Sequence, residues 1–206
     1  MNSKKKLVII VLALVLLLGG AYVLYTQLGE SLHPDQLAVQ EEQIRDEAVD
    51  TGDCADGEDP GETAPGKMLA PDFTVYDAEG NEVHLSDYFG KPIVLNFWAS
   101  WCGPCQMEMP HFQEKYLALG REVNFLMVNM TGGRETLESA AEFIRENGYT
   151  FPVFYDTQAD AAVTYGAYSL PTTYFIDAEG YAIARAIGAI DSATLQRGMD
   201  MILPQE

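Results

Sequence analysis

Two cysteines in the stretch ASWCGPCQMEMP have the spacing of a reactive pair. Cys102 and Cys105 are separated by two residues, and the chain of 206 residues has one further cysteine, Cys54. Such a pair can bind a metal, close a structural disulfide, or exchange electrons reversibly between a dithiol and a disulfide. Other features of the sequence discriminate among these three chemistries.

The metal interpretation lacks ligands. A structural zinc site needs four, commonly with a second Cys pair or a His pair at short spacing. The remaining candidates are Cys54 and three scattered histidines, His33, His84 and His111. A structural disulfide usually closes a longer loop, because its stabilising effect grows with loop length. We therefore predict no metal and no cofactor other than a redox-active Cys102-Cys105 disulfide.

The residues that follow Cys102 predict a helix that ends at Gly120 and is bent at Pro110, whose ring and missing N–H interrupt the hydrogen bonds. At the helix N-terminus, unpaired N–H groups and the helix dipole stabilise a thiolate and lower the pKa of Cys102 from about 8.5 toward 7. We expect Cys102 to attack a disulfide. Cys105, one turn further along, points inward and keeps its proton until a mixed disulfide must be resolved.

Regular elements surround this pair. The run IVLNFW at residues 93–98 is apolar on both faces, which predicts a central strand covered on both sides. Other strands are predicted at residues 73–77, 82–85 and 123–129, with a hairpin at 172–177 and 181–186. Further helices are predicted at 134–147, at 160–165 and from Asp191 or Ser192 onward. This order predicts an α/β fold with a mixed sheet and helices on both faces.

An apolar run at residues 7–25 follows three consecutive lysines. It is long enough to cross the roughly 30 Å hydrocarbon core of a bilayer. The lysines should remain in the cytoplasm, so we predict a cytoplasmic N-terminus at 1–6, a single transmembrane anchor at 7–28, and a catalytic domain on the extracytoplasmic side of the cell membrane. The alternative is a cleaved signal peptide, for which the small residues at 19–21 would be the site. The remainder is exported in either case.

Residues 29–66 are predicted to form a flexible, disordered acidic linker. Between residues 30 and 62 there are twelve Asp or Glu and one Arg, a composition that cannot bury enough apolar area to fold, although 36–49 could form a short helix. Cys54 lies there without a feature that would lower its pKa, so we interpret it as a thiol without a catalytic role; a third redox or docking thiol is the alternative. The net charge of −19 argues against a nucleic-acid partner.

The motif WCGPC resembles that of the thioredoxin superfamily. The segments APDFTVYDAEGNEVHLSDYFGKPIVLNFWASWCGPCQMEMP and SLPTTYFIDAEG are similar to the membrane-anchored TlpA/ResA-like thiol-disulfide oxidoreductases. The resemblance implies a thioredoxin-like domain at residues 67–206, with a cis peptide bond before Pro171 beside the cysteines. A client strand could pair there, because proline has no competing N–H.

The candidate client-binding residues include Trp101, expected on an apolar rim next to Cys102, whereas Trp98 is assigned to the core. The full set is Trp101, Gly103, Pro104, Leu170 and Pro171.

The same resemblance assigns a third catalytic residue. Where thioredoxins have a buried Asp, this chain has Asn96, as TlpA/ResA-like proteins typically do, and Glu108 occupies their Glu position three residues after the second cysteine. Glu108 lies one turn beyond Cys105, and partial burial would raise its pKa into the range of a general base. The alternative is a solvated glutamate on the helix surface. Residues 131–150 resemble the central insertion of this subfamily.

The resemblance implies an enzyme that reduces disulfides of exported client proteins, is recharged by a membrane electron donor of thiols, and has a role in cytochrome c maturation or in rescue of exported thiol proteins. Three alternatives remain. A peroxiredoxin-like thiol peroxidase would need Thr and Pro where this chain has Ala99 and Leu95. A Sco-like copper-binding assembly protein would need a wider cysteine spacing and a ligand His. A non-catalytic anchored scaffold would not depend on Cys102.

Overall fold

The structure is a computed structural model that describes residues 37–39 and 68–204. The predicted cytoplasmic N-terminus at 1–6, the predicted anchor at 7–28, and Cys54 lie outside the described residues, as does most of the predicted linker at 29–66. Within the part that the structure describes, no helix is both long and apolar enough to cross a membrane.

The described residues contain nine strands joined in one mixed sheet. Its spatial order is β1-β9-β8-β5-β6-β7-β3-β4, with β2 also paired to β9. Strands β5, β6 and β7 run parallel, and the other pairs are antiparallel. The strands are β1 Leu37–Val39, β2 Met68–Leu69, β3 Thr74–Tyr76, β4 Glu82–His84, β5 Ile93–Trp98, β6 Asn124–Asn129, β7 Val153–Tyr155, β8 Thr172–Ile176 and β9 Tyr181–Ile187.

Helices complete the α/β fold, and the prediction of a mixed sheet with helices is confirmed. The first α-helix continues through Pro110 without interruption. A 3-10 turn at Leu85–Tyr88 follows β4. The α-helices are α1 Gly103–Leu119, α2 Leu137–Asn147, α3 Asp160–Thr164 and α4 Ser192–Ile202.

Strand β5 forms the centre of the core, as its pattern of apolar residues on both faces predicts. All six of its residues are buried. Because successive side chains of a strand point to opposite faces, Val94 and Trp98 pack with residues of α1 and α4, while Leu95 and Phe97 pack in a second cluster with residues of β3 and α3. Each large apolar side chain buried this way contributes about 2 kcal/mol. The end of β5 is therefore a rigid base for the cysteine loop.

Three strands differ from the sequence prediction. Strand β2, two residues long, was not predicted and pairs with β9. Strand β1 lies within the segment predicted as a disordered linker, and it is a strand where a short helix was the option considered. Its residues pair with the outer edge of β9, which offers unpaired backbone groups. Strand β7 was not predicted, since three residues are too short to show a periodicity; it is held by parallel pairing with β6.

Helix α2 begins later than the predicted residue 134. The Thr136 side chain caps it by accepting a hydrogen bond from the Ser139 N–H at 3.0 Å, because the first turn of a helix leaves N–H groups without partners. The helix ends at Gly148, as predicted, with a left-handed φ of 68°. Residues 130–136 are consequently a loop between β6 and α2.

Candidate active site

The cysteine pair lies at the junction between the sheet and α1. Cys102 and Cys105 are joined in a disulfide with their Cα atoms 5.2 Å apart. Cys102 is the N-cap of α1, and its Sγ accepts a hydrogen bond from the Cys105 N–H at 3.2 Å. Cys102 is 5% exposed and Cys105 is 0% exposed. Cys102 is thus the sulfur that a client can reach.

The dipeptide between the cysteines sets the start of the helix. Gly103 and Pro104 form the first two helical positions. Proline suits this place, because the N–H it lacks would have no partner in the first turn and its φ is already helical. The N–H groups that remain at this end of α1 include that of Cys105, which points at the Cys102 sulfur.

A groove of about 560 Å³ opens beside Cys102. Four of the predicted client-binding residues line it: Trp101, Gly103, Pro104 and Leu170. Pro171 is buried next to Leu170 and does not line the groove. The peptide bond between Leu170 and Pro171 is cis, as the resemblance implies. The structure therefore brings residues as distant in the chain as Trp101 and Leu170 to one surface.

The groove also contains residues that the sequence analysis missed. They come from the loop after β6 and from the segment before β8, and they are Met130, Arg134, Ala167 and Tyr168. Tyr168 is 82% exposed. The Arg134 guanidinium carbon lies 3.6 Å from the centre of the Trp101 ring, a distance typical of a cation-π contact. The resemblance of residues 131–150 to a family insertion was the signal that could have pointed to this loop.

Glu108 is buried against the sheet. Its Oε1 accepts a hydrogen bond from Asn96 Nδ2 at 2.8 Å, and its Oε2 accepts one from the Ile190 N–H at 3.0 Å. Burial raises the pKa of the Glu108 carboxyl from 4.5 to about 7, against the opposing effect of these two hydrogen bonds. The alternative of a solvated glutamate is therefore wrong.

Asn96 holds this carboxyl from the central strand. Its Nδ2 group donates to both Glu108 and Thr173 Oγ1, the latter at 3.0 Å. Its Oδ1 has no hydrogen-bond partner among the described residues. Glu108 lies three residues after Cys105 on α1, a spacing that places Cβ atoms about 5–6 Å apart on one helix face. A carboxyl with a pKa near neutrality can take up and return a proton there.

A second buried glutamate connects the loop after β6 to the cysteine loop. Glu135 accepts hydrogen bonds from the Ser100 N–H at 3.0 Å, from Ser100 Oγ at 2.8 Å and from Asn129 Nδ2 at 2.9 Å. Ser100 lies two residues before Cys102. Glu135 was not predicted as a site residue, because nothing local in the sequence indicates a partner 35 residues away.

The two tryptophans have the environments that were expected. Trp98 is fully buried, and Trp101 is 46% exposed at the rim of the groove. Among residues 68–204, no group of three or more His, Cys, Asp or Glu side chains is placed to hold a metal ion.

Comparisons with known proteins agree with this geometry. The model of the AhpC/TSA family matches residues 67–184. The thiol-disulfide oxidoreductase ResA of Geobacillus thermodenitrificans is 38% identical over 136 residues, which are 66% of this chain and 76% of the relative.

Solved structures share the fold. StoA from Bacillus subtilis is 27% identical with a TM-score of 0.55, over 63% of this chain and 97% of the other. The exposed lipoprotein thioredoxin Etrx1 from Streptococcus pneumoniae is 29% identical with a TM-score of 0.56, over 63% of this chain and 98% of the other.

Proposed function

Because this chain belongs to the AhpC/TSA family and has the catalytic domain of ResA-like thiol-disulfide oxidoreductases, we propose that it reduces disulfides of exported client proteins outside the membrane. The general activity, protein thiol-disulfide exchange, is that of its relatives. The observation that carries the proposal is the asymmetry of the site: Cys102 borders an open groove, while Cys105 is buried on the same helix face as Glu108.

The first step forms a mixed disulfide. The Cys102 thiolate attacks one sulfur of the client disulfide, and a Cys102–client S–S bond forms as the client S–S bond breaks. The electron pair leaves on the second client sulfur, which then takes up a proton. The helix N-terminus stabilises the attacking thiolate before this step.

The second step releases the client. Cys105 gives its proton to the Glu108 carboxylate and attacks the Cys102 sulfur, so the Cys102–Cys105 bond forms and the mixed disulfide breaks. The client's first sulfur leaves with the electron pair and is protonated. In total, two electrons and two protons pass from the enzyme dithiol to the client. Glu108 suits this role because about half of it is ionised near its pKa of about 7.

The direction of the reaction rests on the dipeptide between the cysteines. Gly103 and Pro104 are the pair found in reducing members of the thioredoxin superfamily, so we assign the enzyme to reduction. A membrane dithiol donor would then return the disulfide to the dithiol. Cytochrome c maturation is the client process that the resemblance to TlpA/ResA-like proteins implies. Anchoring by residues 7–28 would keep the domain near that donor.

Trapping of clients tests the proposal. In a Cys105→Ser protein, the mixed disulfide on Cys102 cannot be resolved, so clients should accumulate on it. The matched control is Cys102→Ser, which keeps one site cysteine but loses the attacking sulfur. We expect non-reducing gels and mass spectrometry to show exported proteins linked to Cys102 in the first variant and none in the second. Equal trapping by both variants, or trapping by neither, would contradict the proposal.

A further inference from the structure

The groove beside Cys102 carries one charged side chain among the described residues that line it, Arg134. Its guanidinium lies over the Trp101 ring, at 3.6 Å from the ring centre. A guanidinium stacked in this way still presents the N–H groups of its edge, in a fork that matches a carboxylate. Arg134 therefore offers a binding position for an anion close to the attacking sulfur.

Within residues 68–204, no acidic side chain forms an ion pair with Arg134. The adjacent Glu135 is buried, and its two carboxylate oxygens accept hydrogen bonds from Ser100 and Asn129 instead. Among the described residues, the groove therefore carries a positive charge without an ion-pair partner, on a chain whose net charge is −19.

The fold holds Arg134 in this position. Gly132 and Glu135 exchange two backbone hydrogen bonds, of 2.9 and 3.0 Å, which close a tight turn around Arg134. Gly133 has a φ of 60° in this turn, a conformation that side chains disfavour. Because Glu135 is bound to Ser100, the turn is attached directly to the cysteine loop. A charge fixed in this way costs less to order when a client binds.

From these contacts we propose that Arg134 is a specificity-determining residue that selects client segments carrying a carboxylate beside the target disulfide. The inference rests on the proposed function, since it concerns the client of the same groove. The occupant is an extended client polypeptide: its cystine faces Cys102, its apolar side chains contact Trp101 and Leu170, and its Asp or Glu side chain pairs with Arg134.

Three disulfide-cyclised peptides test this inference. They differ at one position next to the first cysteine, which is Asp, Asn or Lys. Each kcat/KM, measured with the full-length protein in a neutral detergent, is divided by the rate at which dithiothreitol reduces the same peptide. This ratio removes the effect of the charge on the peptide's own reactivity. We expect the Asp ratio to exceed the Asn ratio about fivefold at low salt, with the Lys ratio lowest.

Reversing the charge of Arg134 provides a second test with the same three peptides. In Arg134→Glu the order should reverse, so that the Lys peptide gives the highest ratio. In Arg134→Gln, which keeps a long polar side chain, the Asp and Asn ratios should become equal; this variant covers the case in which the reversal disturbs the turn. The matched control is Arg145→Glu on the exposed face of α2, which should keep the order of the unmodified protein.

Failure of the inference is distinguishable from failure of the proposed function. Equal ratios for the three peptides in the unmodified protein, or an Asp preference that survives Arg134→Glu, would overturn the recognition role alone. Absence of turnover with all three peptides would overturn the proposed function and the recognition role together. A preference that weakens at about 0.5 M salt would support the role, because exposed charges are screened there.

Discussion

At the residue scale, Glu108 and Asn96 define the chemistry of the buried side of the site. Asn96 donates to the carboxyl and cannot itself titrate, so the proton chemistry near Cys105 belongs to Glu108. The burial that raises the Glu108 pKa to about 7 also costs stability whenever the group is ionised. The burial that suits Glu108 to proton transfer near pH 7 therefore also lowers the free energy of unfolding when the carboxyl is ionised.

This cost predicts a pH dependence of stability. Between pH 4.5 and 7, folded Glu108 keeps a proton that the unfolded chain releases. The free energy of unfolding should therefore fall as pH rises through this window, by about 3 kcal/mol in all from this group. In Glu108→Gln that contribution should disappear, and in the control Glu114→Gln, at an exposed position of α1, it should remain. Urea unfolding of the oxidised protein at several pH values measures it. An unchanged fall in Glu108→Gln would contradict the shifted pKa.

Individual site residues differed in how well the sequence revealed them. Cys102, Cys105 and Glu108 follow one another along the chain at intervals of three residues, so their spacing and family motif were sufficient to predict their proximity. Arg134 and Glu135 reach the cysteine loop only through the folding of a separate loop. No local pattern encodes such a contact, and a lone Arg-Glu pair in a sequence usually indicates a solvated surface.

At the element scale, helix α4 packs closely against strand β8 at Gly198. A Cβ atom built on Gly198 would collide with the ring of Phe175, which is fully buried. Glycine at this position lets the helix approach the sheet. The loop before α4 contains Ile190, whose N–H donates a hydrogen bond to Glu108. The distance between α4 and the sheet therefore affects the position of the Glu108 carboxyl.

Gly198→Ala separates packing from helix propensity. Propensity alone would make alanine stabilising by about 1 kcal/mol. Because the methyl group collides with a buried ring, we expect a loss of about 1–3 kcal/mol in the free energy of unfolding. Phe175→Leu creates space at the same point, so the double variant should lose less than the sum of the two single variants. A stabilised Gly198→Ala protein, or strictly additive losses, would be inconsistent with this close packing.

The elements predicted most accurately from the sequence were those long enough to show a pattern of apolar residues. The run at 93–98 matches β5 at both ends, since six consecutive buried residues have no alternative place in a small α/β fold. Strands β1 and β7 have three residues each. Strand β1 forms along the outer edge of β9, and β7 forms between β6 and β3. Pairing with neighbouring strands therefore stabilises β1 and β7, and no pattern within their own three residues predicts them.

At the scale of the whole molecule, the proposed arrangement joins an anchor, an acidic linker and an exported domain. The anchor and nearly all of the linker lie outside the described residues, so the proposal rests on the apolar run at 7–25 and on the lysines before it. Cys54 provides a test, because it lies between the anchor and the domain.

We predict that Cys54 faces the outside of the cell. In a protein with Cys102→Ser and Cys105→Ser, Cys54 is the only remaining cysteine. A membrane-impermeant maleimide should label it in intact cells, and the protein should remain in the membrane fraction after carbonate extraction. A version that lacks residues 7–28 should lose the membrane association. Labelling only after cell lysis would contradict the orientation.

The difference in reactivity between the Cys102 and Cys105 thiols can be measured directly. The reduced full-length protein is reacted with iodoacetamide at pH 7, and mass spectrometry follows the modification of each cysteine with time. We predict that Cys102 is alkylated at least about tenfold faster than Cys105, because Cys102 borders the groove at a helix N-terminus and Cys105 is buried. Equal rates, or faster modification of Cys105, would contradict it.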